Sequence, residues 1–122
     1  MIRGIGVDIV RVERMISWLE RPEMMARFFT SREISWVLSQ GEGAAASLAA
    51  RFAAREALGK ALGTGLRDLR LKDLEICRDD QGKPAFCPAP RAQDQLDSMG
   101  ISSVHVSLSH ERDYAVAMVV IE

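Results

Sequence analysis

The chain has 122 residues, of which 48% are hydrophobic and 27% are charged, a composition typical of one ordinary globular domain. Its formal net charge of −1 gives no general electrostatic reason to bind nucleic acid or a membrane surface. No apolar run approaches the roughly 18–20 residues of a membrane span, and we find no signal peptide. We therefore expect a single cytoplasmic domain over residues 1–122.

The first segment, residues 2–10, reads IRGIGVDIV and predicts a buried strand with Asp8 near its end. A carboxylate in so apolar a strand is costly to bury unless it is paired or binds a metal. Two interpretations are open from this segment alone. Asp8 either caps a helix that begins near Arg11, as Asp often does, or it is a ligand.

Residues 11–46 predict short helices rather than strands. The first spans residues 11–20, and Pro22 separates it from a further helical turn over 23–29. Thr30 and Glu33 form the pattern of a capping box that starts the next helix, and we expect the GEGAAAS segment that follows to be a flexible connection. Arginines collect in this part of the chain as either a solvated face or a contact surface for an acidic partner: Arg11, Arg14, Arg21 and Arg27.

The central segment, residues 47–65, predicts the main helix, which ends at the glycines of GTG. Its apolar residues occupy an arc of roughly 120°, yet Arg51 and Arg55 project from the same arc. Alanines on the other side would allow a close backbone approach by a sheet or helix. Glu56 and Lys60 flank the apolar stripe one turn apart. They form either a solvated pair on the helix surface or part of a functional site.

The last third of the chain predicts a β-hairpin, a brief helix and two strands. The hairpin turns at residues 79–82, and Cys77 and Cys87 flank that turn. Two cysteines are too few for a zinc site. They could pair across the hairpin, but we favour a reduced pair. A helix over residues 91–99 follows, then an alternating strand at 104–109 and a continuous apolar strand at 114–121.

Four segments together resemble the holo-acyl-carrier-protein synthases, the small bacterial type of 4′-phosphopantetheinyl transferase. They are GIGVDIV at 4–10, RFAAREALGKALGTG at 51–65, GKP at 82–84 and VHVSLSHERDYAVAMVVIE at 104–122. The resemblance extends from the first strand to the last residue in the same order. One departure is Arg55, where the family commonly has Lys immediately before the Glu of its helix motif.

The resemblance implies an α+β fold, with a small antiparallel sheet packed around one long central helix. It also implies transfer of the phosphopantetheine arm of coenzyme A (CoA) to a serine of apo acyl carrier protein, with release of adenosine 3′,5′-bisphosphate. Asp8 and Glu56 would bind Mg²⁺, which favours one or two protein carboxylates alongside phosphate oxygens and waters. Lys60, one turn beyond Glu56, would offset phosphate charge, so that Asp8, Glu56 and Lys60 form the catalytic set.

The remaining site residues also follow from the resemblance, which implies CoA contacts at Arg51, Arg55, Lys60, Gly63, Gly65, Pro84 and His105. We expect the GTG turn to offer free backbone N–H groups to phosphate. His105 contacts a phosphate or is simply a strand residue with a satisfied ring. For Arg55 we favour phosphate binding over a structural role.

The resemblance further implies a homotrimer that holds CoA between neighbouring chains. We expect Arg51 and Arg55 to lie on a surface that only assembly buries. The acidic carrier protein would dock near Arg14, Arg21 and Arg27. The alternative function is a trimeric module that binds carrier protein or nucleotide without catalysis, and the departure at Arg55 is the only feature that favours it.

Overall fold

The computed structural model describes all residues from 1 to 122, and it is an α+β fold as predicted. The strands are β1 (Gly4–Arg11), β2 (Leu74–Arg78), β3 (Pro84–Pro88), β4 (Val104–His110) and β5 (Tyr114–Ile121). The helices are α1 (Glu13–Leu19), α2 (Pro22–Phe28), α3 (Ser31–Leu38), α4 (Ala44–Leu62) and α5 (Pro90–Ser98). Short 3₁₀ helices at Gly41–Gly43 and Leu71–Asp73 complete the chain. None of the helices combines the length and the apolarity needed to cross a bilayer.

The three-stranded sheet is antiparallel in the order β1-β5-β4, so the continuous apolar strand is central. Alternate residues of β5 are buried against α4, among them Ala115, Ala117 and Val119. The residues between them point to the opposite side of the sheet, because side chains alternate along a strand. Strands β2 and β3 form the predicted hairpin as a separate two-stranded sheet.

Two glycines allow β1 to lie directly on the backbone of α4. A Cβ atom at Gly4 would overlap the carbonyl oxygen of Ala61, and one at Gly6 would overlap the carbonyl oxygen of Ala57. The alanines expected on this side of α4 therefore pack directly against β1. Because only glycine fits at this distance, the contact fixes the height of β1 along the helix axis.

A buried carboxylate, Glu33, joins α3 to the helix and hairpin beside it. Its backbone and side chain form the predicted capping box with Thr30. Its Oε1 also accepts a hydrogen bond from Arg55 Nη2. Its Oε2 accepts one from the backbone N–H of Ile76 in β2 at 3.1 Å and lies 4.0 Å from Arg51 Nε. One side chain thus connects three elements.

The two central arginines are buried inside the single chain, which corrects the expectation that only assembly would bury them. Arg51 and Arg55 are 2% and 0% exposed. Arg55 Nε donates to the carbonyl oxygen of Leu71 at 2.9 Å, and its guanidinium lies 4.6 Å from the ring centre of Phe29. A single helix viewed alone shows no partner for these charges, because Glu33 comes from a preceding helix.

Two other local predictions are corrected, and one of the two interpretations left open for Asp8 is excluded. The GEGAAAS segment is ordered, since Gly41–Gly43 is a 3₁₀ helix and α4 begins at Ala44. Asp8 caps no helix, because β1 continues to Arg11 and α1 starts two residues later. The favoured reduced cysteine pair is replaced by a disulfide between Cys77 and Cys87.

The disulfide follows from the register of the hairpin. Cys77 pairs with Ala85 and Cys87 pairs with Glu75, so the two cysteines are diagonal neighbours on adjacent strands. Their Cα atoms are 6.1 Å apart, within the range that a disulfide spans.

The close contact between β1 and α4 predicts that Gly6→Ala lowers the free energy of unfolding by about 2–3 kcal/mol or more, because the new methyl group meets backbone rather than a movable side chain. Gly43→Ala is the matched control, since its new Cβ would lie 3.8 Å from its nearest neighbour, Gln40 Cβ. Chemical denaturation of both variants measures the difference. An unchanged stability for Gly6→Ala would contradict the close packing.

Candidate active site

The first predicted carboxylate, Asp8, lies on the face of β1 that packs against α4. Its side chain is 17% exposed, and its Oδ1 accepts a hydrogen bond from Lys60 Nζ at 3.0 Å. Lys60 Nζ also donates to the carbonyl oxygen of Val7 at 3.0 Å. Residues 52 positions apart in the chain are therefore in direct contact.

The second predicted carboxylate, Glu56, is half-buried and lies one helical turn before Lys60. Both side chains line an open cavity of about 800 Å³ between α2, α4 and the segment that follows α4. The cavity has an apolar wall formed by Phe28, Leu66, Leu69 and Leu71. Its polar lining consists of Arg27, Glu56, Lys60 and Arg70, with glycines at 59, 63 and 65.

The GTG turn closes the C-terminal end of α4 and faces this cavity, but its glycine N–H groups are not free. Gly63 has φ of 80° and donates to the carbonyl oxygens of Gly59 and Lys60 at 3.2 and 3.1 Å. Gly65 donates to Gly59 O at 3.1 Å. The expectation that these N–H groups are open to phosphate is corrected, because they satisfy the last carbonyls of the helix.

The predicted phosphate contacts at Arg51 and Arg55 are not supported by their positions. Neither residue lines the cavity beside Glu56. All three side-chain nitrogens of Arg55 donate hydrogen bonds within the chain. Nε donates to the carbonyl oxygen of Leu71, Nη1 to the carbonyl oxygen of Arg51 and Nη2 to the carboxylate of Glu33. These contacts argue against the predicted phosphate binding by Arg55 and fit a structural role instead.

Arg51 is less well satisfied than Arg55. Its Nη1 donates to Ser47 Oγ at 2.8 Å, but its buried Nε has no hydrogen-bond partner. Burial lowers the pKa of Arg51 to about 10, the negative charge of Glu33 opposes that shift, and the positive charges of Arg78 and Arg55 add to it. The side chain stays charged at neutral pH and lines a separate cavity of about 470 Å³ beside the hairpin.

Two predicted CoA contacts lie outside the cavity that holds Glu56. Pro84 is the first residue of β3. His105 lies on β4, and its Nε2 is 2.8 Å from Oε1 of Glu122. Neither residue lines the cavity in the single chain.

The three arginines predicted at the docking surface lie on or beside α1 and α2. The guanidinium of Arg14 is 5.2 Å from the ring centre of Phe52, and Arg21 Nε is 4.0 Å from Glu23. Arg27 lines the cavity with Glu56. Arg70 also lines this cavity, although it is not among the site residues predicted from the sequence. No periodic pattern marks Arg70, because it precedes a short 3₁₀ helix rather than lying within a long element.

The donor set fits Mg²⁺. Asp8 and Glu56 both offer carboxylate oxygens, and one of the two oxygens of Asp8 is held by Lys60. No group of three or more His, Cys, Asp or Glu side chains could form an all-protein metal cage. Mg²⁺ is commonly held by only one or two carboxylates, with substrate phosphates and water completing its octahedron.

Comparison with known proteins identifies the family of the chain. The model of the 4′-phosphopantetheinyl transferase superfamily matches residues 4–119. The holo-[acyl-carrier-protein] synthase of Treponema denticola is 48% identical over 122 residues, covering 100% of this chain and 99% of that protein.

Solved structures share the fold along their whole length. The holo-[acyl-carrier-protein] synthase of Neisseria meningitidis superposes with a TM-score of 0.90 at 38% identity, covering 100% of this chain and 99% of the other. The Bacillus anthracis enzyme, solved in complex with CoA (3′,5′-ADP), has a TM-score of 0.81 at 35% identity, with 99% and 96% covered. The chain belongs to the 4′-phosphopantetheinyl transferase superfamily.

Proposed function

We propose that the protein transfers the 4′-phosphopantetheine group of CoA to a serine hydroxyl of apo acyl carrier protein and releases adenosine 3′,5′-bisphosphate. The observation that carries this function is the cavity in which Glu56 and Lys60 meet, with Asp8 bound to Lys60, in a chain nearly half identical to a holo-[acyl-carrier-protein] synthase. The protein is an enzyme of the transferase class, and CoA is its substrate.

The reaction exchanges one phosphorus–oxygen bond for another. The serine Oγ forms a bond to the β-phosphorus of CoA, and the bond from that phosphorus to the bridging oxygen breaks. The departing group leaves as adenosine 3′,5′-bisphosphate, and the serine proton passes to a base. Such transfers depend chiefly on positioning and on electrostatic stabilisation of the phosphate oxygens.

Asp8 and Glu56 would hold Mg²⁺, which supplies positive charge to the diphosphate oxygens of bound CoA. Lys60 contributes a second positive charge at the same place. Its ammonium group is anchored by Asp8 Oδ1 and by the carbonyl oxygen of Val7, so it is oriented before the substrate arrives. Its side chain remains 57% exposed and is accessible to a phosphate in the cavity.

The non-catalytic alternative loses the one feature that favoured it. That feature was Arg55, and the contacts of Arg55 with Glu33 and Leu71 account for its presence without any ligand. Asp8, Glu56 and Lys60 are all present and are arranged around one cavity and its edge.

We propose that the active protein is a homotrimer with sites shared between chains. The outer face of the sheet supports this, because Ile5, Val7, Ile9 and Met118 are 58%, 55%, 61% and 45% exposed on the side away from α4. An exposed apolar face of this extent on a small chain is typical of a protein–protein interface. A neighbouring chain would also supply Pro84 and His105, which do not reach the cavity of their own chain.

Acyl carrier protein is the second substrate, and we propose that it docks near Arg14, Arg21 and Arg27. Arg27 supports this location, because it lies on α2 and also lines the cavity where transfer would occur. We further propose that residues 1–122 act as one transferase domain in the cytoplasm. The family model supports the single domain by spanning residues 4–119.

The function is tested by incubating the protein with CoA, Mg²⁺ and apo acyl carrier protein and measuring the carrier by mass spectrometry. Wild-type protein should add the phosphopantetheine mass. Asp8→Asn and Glu56→Gln should each slow transfer by about a hundredfold or more, because each removes a charge without changing shape. Glu13→Gln, at the exposed start of α1, is the control. Transfer by either site variant at nearly the wild-type rate under saturating Mg²⁺ would contradict the metal assignment.

The assembly is tested by analytical ultracentrifugation at micromolar concentration. Wild-type protein should sediment as a trimer, and Ile5→Lys should dissociate it, because a charge on the outer sheet face is costly to bury. Leu38→Lys is the control, since Leu38 is 51% exposed but lies on α3. A fully active wild-type monomer would remove the shared-site model.

The role of Arg55 is tested by Arg55→Ala. We expect the free energy of unfolding to fall by about 3–5 kcal/mol, because removal of one partner leaves a buried charge poorly compensated. CoA affinity of the folded protein should be unchanged. Arg32→Ala is the control, since Arg32 is 82% exposed and lies 3.9 Å from Glu75. Weaker CoA binding at unchanged stability would indicate that Arg55 binds phosphate.

A further inference from the structure

The cavity beside Glu56 contains more positive charge than its own residues neutralise. Arg27, Lys60 and Arg70 face one carboxylate, Glu56. Lys60 is already paired with Asp8, whereas Arg27 and Arg70 form no ion pair with any side chain. Two unpaired cations in one recess repel each other, and an anionic ligand would relieve that repulsion.

We propose that Arg70 binds a phosphate group of CoA and thereby sets the affinity of this chain for that substrate. The proposal rests on the proposed function and adds to it a residue outside the set that the sequence identified. A planar guanidinium can donate two parallel hydrogen bonds to phosphate oxygens, which makes arginine well suited to this contact.

The backbone that carries Arg70 is held on both sides. Leu69, the preceding residue, is 6% exposed and belongs to the hydrophobic core. The following residue, Leu71, is anchored through its carbonyl oxygen by Arg55 Nε at 2.9 Å. The carbonyl oxygen of Arg70 itself accepts a hydrogen bond from the N–H of Asp73 at 2.9 Å. The side chain is thus exposed but projects from a fixed point on the cavity wall.

The shape of the site favours a small anionic ligand over the carboxylates of a folded partner. Arg70 lies in a recess of about 800 Å³ together with Glu56, Lys60 and the GTG turn. A recess of this size admits a cofactor-sized molecule. A folded carrier protein is much larger than this recess, so we expect its acidic side chains to contact the surface of α1 and α2. We therefore expect Arg70 to bind CoA and Arg14 to contact the carrier protein.

The test compares four variants of the full-length protein: Arg70→Ala, Arg70→Lys, Arg67→Ala and Arg14→Glu. Calorimetric titration with CoA and with adenosine 3′,5′-bisphosphate gives the Kd, and steady-state transfer gives the KM for apo carrier protein. Arg70→Ala should raise the Kd for CoA about tenfold or more, as expected for a lost charged hydrogen bond. Its KM for the carrier and its melting temperature should not change.

The other variants separate charge from structure. Arg70→Lys should recover part of the affinity, because it restores the charge without the paired donors. Arg67→Ala should bind CoA normally, since Arg67 lines a different cavity with Arg3 and Asp68. Arg14→Glu should raise the KM for the carrier alone. Added salt should weaken CoA binding less steeply in Arg70→Ala than in wild-type protein.

Two results would overturn the proposal about Arg70. If Arg70→Ala raises the KM for the carrier and leaves the Kd for CoA unchanged, Arg70 contacts the partner protein. If neither quantity changes, Arg70 is a solvated side chain. Failure of the proposed function looks different, because wild-type protein would then leave the carrier unmodified, whether or not it binds CoA.

Discussion

The burial of Glu33 between two arginines is the interaction on which the arrangement of the helices depends. Removing a charge from water costs several kcal/mol, so each member of the cluster requires its partners. Glu33 comes from α3, Arg51 and Arg55 come from α4, and the N–H of Ile76 comes from β2. A shift of any one element would leave a buried charge or donor unsatisfied. The cluster therefore specifies one relative placement of α3, α4 and the hairpin.

The same cluster extends to the wall of the candidate active site. Arg55 donates to Leu71, which lines the cavity together with Glu56. The opposite side of α4 is fixed by a different constraint, the contact of Gly4 and Gly6 with its backbone. That contact sets the height of β1 and so brings Asp8 within reach of Lys60. Charge burial holds one side of the site, and close backbone packing holds the other.

The parts of this structure that could be predicted from the sequence are those that local pattern and motif determine. The central strand β5, the long helix, the capping box of Thr30 and Glu33 and the hairpin all follow from periodicity and turn chemistry. The positions of Arg51 and Arg55 could not be predicted, because a helical projection shows no partner 18 or more residues away. The disulfide depended on hairpin register, which composition does not specify. The position of Arg70 beside the cavity could not be predicted either, because it depends on how the segment after α4 folds back over the helix.

Helix α4 carries two pairs of charged residues at the same spacing, and they serve different purposes. Arg51 and Arg55 are four residues apart and buried, while Glu56 and Lys60 are four residues apart and reach the cavity. Adjacent positions on a helix differ by about 100°, so the second pair points away from the first. The buried pair shares the single carboxylate of Glu33 inside the chain. Glu56 and Lys60, with Asp8 bound to Lys60, lie at a cavity whose lining carries more positive than negative side chains. On this side of the helix a solvent-exposed ammonium group lies beside open volume, so an anionic substrate can bind next to Glu56 and Lys60.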